Sequence, residues 1–139
     1  MTKTDADEVE AKTKQRENSK RATFEKLSAK TLTEKEITVT LGGEEYTMLF
    51  RAISAKRWDK LISQNPPNQE QKANGQTFNP DRFGPALLAD VCVEPEMTAK
   101  QWGEIWTSPD WSRGEITDIY IAAMGICNKG LDIPFSENG

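Results

Sequence analysis

The strongest constraint on the fold of this chain is a glycine pair that separates two runs of alternating apolar and polar residues. The apolar positions of the two runs are Ile37, Val39, Leu41, Tyr46, Met48 and Phe50. Alternation with a period of two residues is typical of a strand with one buried face, and Gly42-Gly43 supplies a two-residue turn that tolerates positive φ. The pattern predicts a β-hairpin over 35–42 and 44–51. Because an isolated hairpin is marginally stable in water, its apolar face must pack on helices or on another strand.

The first helix predicted after the hairpin spans about 54–64. Ser54 is a favourable N-cap, and apolar residues follow it at helical spacing. Two prolines after Asn65 end this helix, because the residue before a proline disfavours the helical conformation. Residues 65–77 carry two prolines, one glycine and no large apolar side chain. That composition predicts a mobile loop.

Two more helix starts follow the loop. Asn79-Pro80 matches an N-cap followed by proline at the first helical position. Gly84-Pro85 lies inside this helix, which predicts either a kink there or a later start near Pro85. Thr98 and the glutamine three residues later match a capping box, which predicts a short helix after it.

The last predicted helix has the clearest pattern, and it begins at a capping box that Ser112 opens. Its apolar stripe consists of Ile116, Ile119, Tyr120, Ala123, Met124 and Cys127. Ile121 and Gly125 fall outside the stripe, so the second face is less polar than solvent exposure alone requires. A glycine signal at Lys129-Gly130 ends the helix. The expected fold is therefore α+β and mostly helical, with an N-terminal β-hairpin followed by about four short helices.

Composition divides the chain into three segments. Residues 1–34 intersperse acidic and basic side chains and carry few large apolar residues. Such a segment buries too little surface to offset its ordering entropy, which predicts an arm that is disordered or transiently helical. Residues 35–130 form the predicted domain. Residues 131–139 are expected to be a short C-terminal tail whose apolar side chains can pack on the body.

The absence of histidine removes most common catalytic sites from consideration. It excludes serine and cysteine nucleophiles that histidine activates, and also histidine-ligated zinc. The formal net charge of −4, without a basic cluster, argues against nucleic-acid binding. No catalytic residue, metal site or cofactor is therefore expected, and the sequence favours a protein that is not an enzyme.

The apolar runs and the cysteines of the chain indicate its cellular compartment. No apolar run approaches the roughly 20 residues that a membrane helix needs, and the N-terminal segment lacks the apolar stretch of a signal peptide. Cys92 and Cys127 have apolar neighbours and are expected to be small buried side chains without a disulfide between them. These features predict a cytoplasmic protein that does not associate with a membrane.

The candidate partner-binding residues are aromatic: Phe50, Trp58, Trp102, Trp106 and Trp111. Trp102 and Trp106 are one helical turn apart and share a face of their helix. Aromatic side chains dominate the energetics of many protein interfaces, but a small domain also needs large side chains to fill its core. Both interpretations stay open for the tryptophans. The free edge of the hairpin is a further candidate, for an oligomer contact by strand addition.

Taken in order, four pieces of the chain resemble the tail assembly chaperones of long-tailed bacteriophages, the siphophage type found in phages of actinobacteria. The first is ITVTLGGEEYTMLFRAIS at 37–54, a hairpin that runs into a helix. The second is FNPDRFGPALLADVCVEPEMT at 78–98, and the third is MTAKQWGEIWTSPDW at 97–111. The fourth is the terminal helix GEITDIYIAAMGICN at 114–128. The ordered set, rather than any single motif, carries the resemblance.

This resemblance implies a non-catalytic protein that binds the phage tape measure protein, a very long helical chain. The chaperone would keep that client soluble while tail-tube subunits assemble around it in the host cytoplasm, and it would be absent from the mature virion. Many relatives occur as a short form and as a longer form made by ribosomal frameshifting, and this chain matches the short form. The resemblance further implies self-association or association with the longer form, and contact with the tail-tube protein.

Two other functions compete with this one. A structural phage protein, such as a tail-tube or head-completion component, would be retained in the virion at a fixed copy number. A small host-directed regulator would form a one-to-one complex with a folded partner and would not depend on tail assembly.

Overall fold

The computed structural model describes residues 20–129. The chain divides into two units, of which Leu32–Lys129 is one, and the described residues 20–31 belong to the other. Most of the predicted charged arm, 1–19, and the predicted C-terminal tail, 131–139, lie outside the described residues.

Residues 20–31 contain one short helix, α1, at Phe24–Ser28. Thr23 caps it, since its hydroxyl oxygen accepts a hydrogen bond from the Lys26 amide at 3.2 Å. The side chains of Phe24 and Leu27 are 84% and 66% exposed, so α1 buries no apolar face within its own unit.

The unit Leu32–Lys129 opens with the predicted hairpin, which is confirmed. Strand β1 spans Glu34–Leu41 and β2 spans Glu44–Arg51, in antiparallel register. Gly42 and Gly43 connect the strands with φ of 60° and 84°. Two successive positive φ values match the twist of the flanking strands and are costly for any residue with a side chain, which explains the glycine pair.

A third strand, which the sequence did not predict, completes the sheet. Strand β3 spans Cys92–Glu94 and pairs antiparallel with β2, so that the order is β1-β2-β3. The pairing of Phe50 with Cys92 places both side chains in the core. The central strand is therefore β2, and within the described residues β1 and β3 are the two edges.

Five helices follow β2 in this unit, which confirms the α+β class with a hairpin followed by helices. They are α2 at Ala55–Gln64, α3 at Gln69–Ala73, α4 at Pro80–Val91, α5 at Ala99–Trp106 and α6 at Arg113–Asn128. The predicted N-caps form at Ser54, Asn79, Thr98 and Ser112, each of whose side chains accepts a backbone N–H of the first turn. These bonds satisfy donors that a helix start leaves unpaired.

The prediction of a mobile loop over 65–77 is wrong, because this segment holds helix α3. Asn68 and Gln71 form a capping box in which each side chain accepts the other residue's backbone N–H, at 2.8 and 2.9 Å. Gly75 follows with φ 81° and reverses the chain. The segment is polar, but local capping bonds order it without burying an apolar side chain.

Helix α4 begins at Pro80 and continues through Pro85, so the alternative of a later start near Pro85 is wrong. Its apolar face fills the centre of the core with Phe83, Leu87, Leu88 and Val91, which are at most 2% exposed. Helix α5 packs on α4, and α2 and α6 pack on it as well. In α6 the buried residues are Ile119, Ala123 and Ile126.

Two polar contacts tie α2 to α4. The guanidinium of Arg57 donates two hydrogen bonds to the carboxylate of Asp90, and this pairing raises the pKa of Arg57. At the other end, the backbone oxygen of buried Asn65 accepts the Asn79 amide at 2.8 Å. A backbone hydrogen bond between its two ends therefore closes the segment 65–79, which contains α3.

Candidate binding surface

The structure removes Phe50 from the candidate partner contacts. Its side chain is 0% exposed, on the central strand, between neighbours on β1 and β3. Trp102 is 3% exposed and belongs to the same core cluster. A fully buried side chain cannot anchor a partner without opening the domain, so both residues contribute to the core and not to an exposed anchor.

Trp58 lies half-buried at the side of the core. Its indole meets Phe83 edge-on, with ring centroids 5.2 Å apart, and Phe78 also meets Phe83 edge-on, at 5.0 Å. Trp58 lies on α2 next to Arg57, whose ion pair with Asp90 joins α2 to α4. Edge-to-face contacts of this kind add stability beyond area burial, so the visible role of Trp58 is packing.

Trp106 and Trp102 share one face of α5 as predicted, and that face packs on α4. The ring of Trp106 covers Gly84 of α4 and meets Tyr120 edge-on at a centroid distance of 5.6 Å. Trp106, Trp111 and Tyr120 line a cavity of about 500 Å³ between the starts of α4 and α6. The two tryptophans of α5 therefore do not form one exposed anchor.

A more apolar concave surface lies elsewhere, beside the turn end of the hairpin. We call it the hairpin groove; it has a volume of about 520 Å³ and runs between the sheet and α5. Its principal lining side chains are Val39, Leu41, Tyr46, Met97, Ile105 and Trp111. Thr47 and Glu94 are the polar side chains among the lining residues. A groove this apolar offers a site for apolar side chains of a partner and no set of polar groups for a small substrate.

The rim of the hairpin groove exposes two large side chains. Leu41 is 41% exposed and Tyr46 is 49% exposed, on opposite strands next to the turn. The Tyr46 hydroxyl donates a hydrogen bond of 2.9 Å to a carboxylate oxygen of Glu44. With Glu94 on the other side, the rim is apolar with carboxylates beside it.

Trp102 forms part of the wall of this groove, and its indole nitrogen is unusual. Its indole Nε1 is buried and has no hydrogen-bond partner among the described residues. A buried donor without an acceptor costs free energy, typically about 1–3 kcal/mol. Trp102 therefore contributes through the volume of its ring and not through a hydrogen bond.

Neither thiol is poised as a nucleophile. Burial raises the pKa of Cys92 to about 11, and its Sγ donates to the Pro95 carbonyl oxygen at 3.2 Å. Burial also raises the pKa of Cys127. Both cysteines are free and remain neutral thiols near pH 7, where a thiolate would be required for attack.

Residues 20–129 contain neither a metal-binding cluster nor a membrane-spanning helix. In that range, no group of three or more histidine, cysteine, aspartate or glutamate side chains is arranged to hold a metal ion. None of the helices described there is both long enough and apolar enough to cross a membrane.

The sequence held a partial signal for the groove residues that were not predicted as binding residues. Val39, Leu41 and Tyr46 belong to the apolar face of the hairpin, but only Met48 and Phe50 reach full burial at the opposite end. Near the turn this face borders the groove and stays partly exposed. Met97 and Ile105 carried no signal of their own, since their position depends on how α5 docks beside the sheet.

Trp111 lines both the hairpin groove and the cavity beside Trp106, so it separates the two concave surfaces.

Comparison of the chain with protein-family models, with curated proteins and with solved structures gave no significant match.

Proposed function

We propose that this protein is a phage tail assembly chaperone of the short form, which binds apolar helical segments of a tape measure protein and keeps them soluble during tail-tube assembly. The hairpin groove carries the proposal, because it is an apolar concave surface with exposed rim residues and no catalytic group. The order of sequence motifs between residues 37 and 128 supports the same function by resemblance.

The groove suits the apolar face of a helix. Amphipathic helices bind apolar grooves through side chains at positions i, i+3 or i+4, and i+7. Leu41 and Tyr46 flank such a helix from the sheet, while Ile105 and Met97 contact it from the other side. Methionine is flexible and polarizable, and it adapts to different side chains. A surface of this kind accepts many apolar segments of one long client.

The charges beside the groove define the client further. Glu94 lines the groove and Glu44 bonds to the rim residue Tyr46. Carboxylates at the rim favour a helix whose apolar stripe is flanked by lysine or arginine. The proposed client segments are therefore basic amphipathic helices.

Binding at one groove is expected to be weak, since it lacks buried polar contacts. Copies that associate with one another would hold one tape measure chain more tightly than a single copy, because linking binding modules raises the effective concentration at each further site. Each copy could still leave one at a time when tail-tube subunits arrive. This mechanism places the protein in the host cytoplasm and leaves it out of the mature virion.

Co-expression with the tape measure protein from the same phage tests the proposal. The parent chain is expected to raise the soluble yield of the tape measure, and Leu41→Asp, at the groove rim, is expected to abolish the gain. Leu32→Asp is a matched control, because Leu32 is 42% exposed against 41% for Leu41 and does not line the groove. An unchanged yield with the parent chain would overturn the proposal, as would finding the protein at a fixed copy number in purified virions.

A further inference from the structure

Strand β1 is an edge of the sheet that nothing covers among residues 20–129. In a hairpin closed by a two-residue turn, the residues flanking the turn exchange both backbone bonds, so odd-numbered residues of β1 bond to β2. The N–H and C=O groups of Glu36, Thr38 and Thr40 consequently point away from the sheet, and they form no backbone hydrogen bond within the described residues. The segment from Ile37 to Leu41 contains neither proline nor charge, so no usual device prevents the addition of a strand there.

Two cavities follow one another along this edge, between β1 and helix α6. The first, of about 230 Å³, lies between residues 38–41 and the start of α6. The second, of about 440 Å³, lies between residues 33–37 and the end of α6. Helix α6 therefore runs antiparallel to β1. We call the two cavities together the β1–α6 channel, because alternate side chains of a strand added to the edge would enter it.

The half of the β1–α6 channel near the hairpin turn is acidic. Its charged residues are Glu115 and Asp118, both exposed on α6. One carboxylate oxygen of Glu115 accepts the Ser112 N–H at 2.9 Å. Asp118 takes part in no ion pair within residues 20–129. This end of the channel therefore favours a cationic side chain.

The middle of the channel is apolar. Ile121 of α6 is 59% exposed, and a Cβ placed on Gly125 would meet nothing within 4 Å. Both residues line the second cavity together with Ala122 and with Ile37 of β1. An apolar side chain next to Ile37 would cover this surface.

The far end of the channel is basic. Its charged residues are Lys35, Lys129 and Glu34. The carboxylate of Glu34 already accepts a hydrogen bond of 2.7 Å from the guanidinium of Arg51. The two ammonium groups are therefore the charges that this end offers to an added strand, and they favour an acidic side chain.

We propose that the β1 edge binds an extended segment of another protein, antiparallel to β1, which carries basic, apolar and acidic residues in that order at alternate positions. Basic side chains opposite Leu41 and Val39 then face the acidic end. The apolar side chain lies opposite Ile37, and the acidic one lies opposite Lys35. In strand addition the backbone bonds supply affinity, and the pockets for alternate side chains supply specificity.

The charges disfavour a second copy of this chain as the occupant. Antiparallel pairing of two β1 strands about Thr38 would bring Glu115 and Asp118 of one copy toward the same carboxylates of the other. Such juxtaposition of like charges is unfavourable. A strand with basic residues at this end turns the same carboxylates into favourable contacts.

The terminal segments of the chain match the channel poorly. Residues 131–139 contain no lysine or arginine for the acidic end. Residues 1–19 carry Lys12, Lys14 and Arg16 at alternate positions. With two of these residues at the acidic end, either a third basic residue or Asn18 would face the apolar middle. A partner with mixed side chains fits better.

This site does not rest on the proposed function. It uses outward backbone groups of β1 together with the side chains of Asp118 and Ile121, neither of which lines the hairpin groove. It also takes an extended segment, whereas the hairpin groove takes a helix. One site can therefore fail while the other stands.

Fluorescence anisotropy of the labelled peptide KTKTVTE, titrated with the purified full chain, tests the proposal. Saturable binding is expected, and Asp118→Lys is expected to weaken it at least about tenfold. Asp59→Lys is the matched control, since it reverses an exposed carboxylate of α2 that does not line the channel. The peptide ETETVTE should bind the parent weakly and regain part of the affinity with Asp118→Lys.

The backbone contribution is tested at Thr38. Thr38→Pro removes the central outward N–H and should weaken binding of KTKTVTE, whereas Thr38→Val keeps that N–H and should not. Circular dichroism shows whether the proline variant folds, and Asp118→Lys remains a test that leaves the strand intact. Hydrogen exchange at the Thr38 and Thr40 amides should slow when the peptide is added.

Four results would overturn the assignment. A parent chain that does not bind KTKTVTE, or that binds ETETVTE equally well, contradicts the stated partner chemistry. Binding that both Thr38→Pro and Asp118→Lys leave unchanged places the peptide elsewhere. Thr38 and Thr40 amides that are protected in the monomer without peptide show that a segment of the chain itself occupies the edge. Protection that rises with protein concentration shows that a second copy does.

Discussion

Gly84 of α4 and Trp106 of α5 are in direct contact, and a Cβ placed on Gly84 would overlap Cη2 of the Trp106 indole. No real Cβ approaches a ring carbon so closely. The glycine therefore sets how near α5 lies to α4. In this position the Trp106 ring also meets Tyr120 edge-on, and it forms no exposed patch with the buried Trp102.

Gly84→Ala is expected to destabilise the domain by about 1–3 kcal/mol, because the added methyl group forces the ring or the helix to move. The free energy of unfolding, measured by denaturant titration, checks this value. Replacing Trp106 with leucine in the Gly84→Ala background should recover part of the loss.

Gly103→Ala is the control for this prediction. Gly103 lies in α5, and a Cβ there would meet nothing within 4 Å. Alanine is a better helix former than glycine, so this change is expected to stabilise the domain by up to about 1 kcal/mol. Equal stabilities of the two alanine variants would show that the Gly84–Trp106 contact is absent in solution.

Asn65→Ala is expected to cost about 1–3 kcal/mol of unfolding free energy, because it leaves a buried carbonyl without its donor. The Asn65 side-chain amide donates to the Leu61 oxygen at 2.8 Å, and the residue is 8% exposed. Asn128 makes the same contact with the Met124 oxygen at 2.8 Å but is exposed. Asn128→Ala is therefore expected to change stability by less than about 0.5 kcal/mol. Similar losses in both variants would contradict the role of burial.

Local signals in the sequence were sufficient for the hairpin and for most helix starts. The glycine pair, the period-two alternation and the side-chain caps act within a few residues, so Ser54, Thr98 and Ser112 mark helix N-termini directly. Helix α3 was missed although Asn68 and Gln71 carry a capping pattern, because that pattern lies in a polar segment without apolar periodicity.

Features that depend on tertiary docking could not be predicted. Strand β3 has only three residues and exists because β2 offers it an edge. The aromatic residues raised a similar difficulty, since spacing places Trp102 and Trp106 on one helix face but does not say whether core or solvent lies opposite. The hairpin groove lies between the sheet and α5, and no local pattern encodes how these two elements dock.

Alkaline pH is expected to destabilise the domain through Cys92. Its pKa is about 11 in the folded chain against an ordinary value of 9.0, so folding favours the neutral thiol. The stabilisation is complete below pH 9 and is lost as the pH rises from 9 to 11, because the unfolded chain then releases a proton that the folded chain retains.

Thermal unfolding of the parent and of Cys92→Ala across this pH range tests the prediction. The substitution lowers stability at every pH by removing a packed side chain, so the informative quantity is the slope of stability against pH. The slope should be steeper in the parent. Parallel slopes would show that Cys92 is not protected from ionisation in the fold.

Trp102→Ala is expected to destabilise the domain by about 3–5 kcal/mol, because Trp102 is 3% exposed and its removal leaves a large cavity in the core. Trp102→Phe should cost clearly less, since an aromatic ring still fills most of the space and no hydrogen bond of Nε1 is broken. Denaturant titration of both variants gives the two losses, and circular dichroism shows whether the alanine variant folds at all. If Trp102→Ala unfolds at the same denaturant concentration as the parent, the ring is not part of the core. Loss of client capture by that stable variant would then return Trp102 to the partner-binding surface.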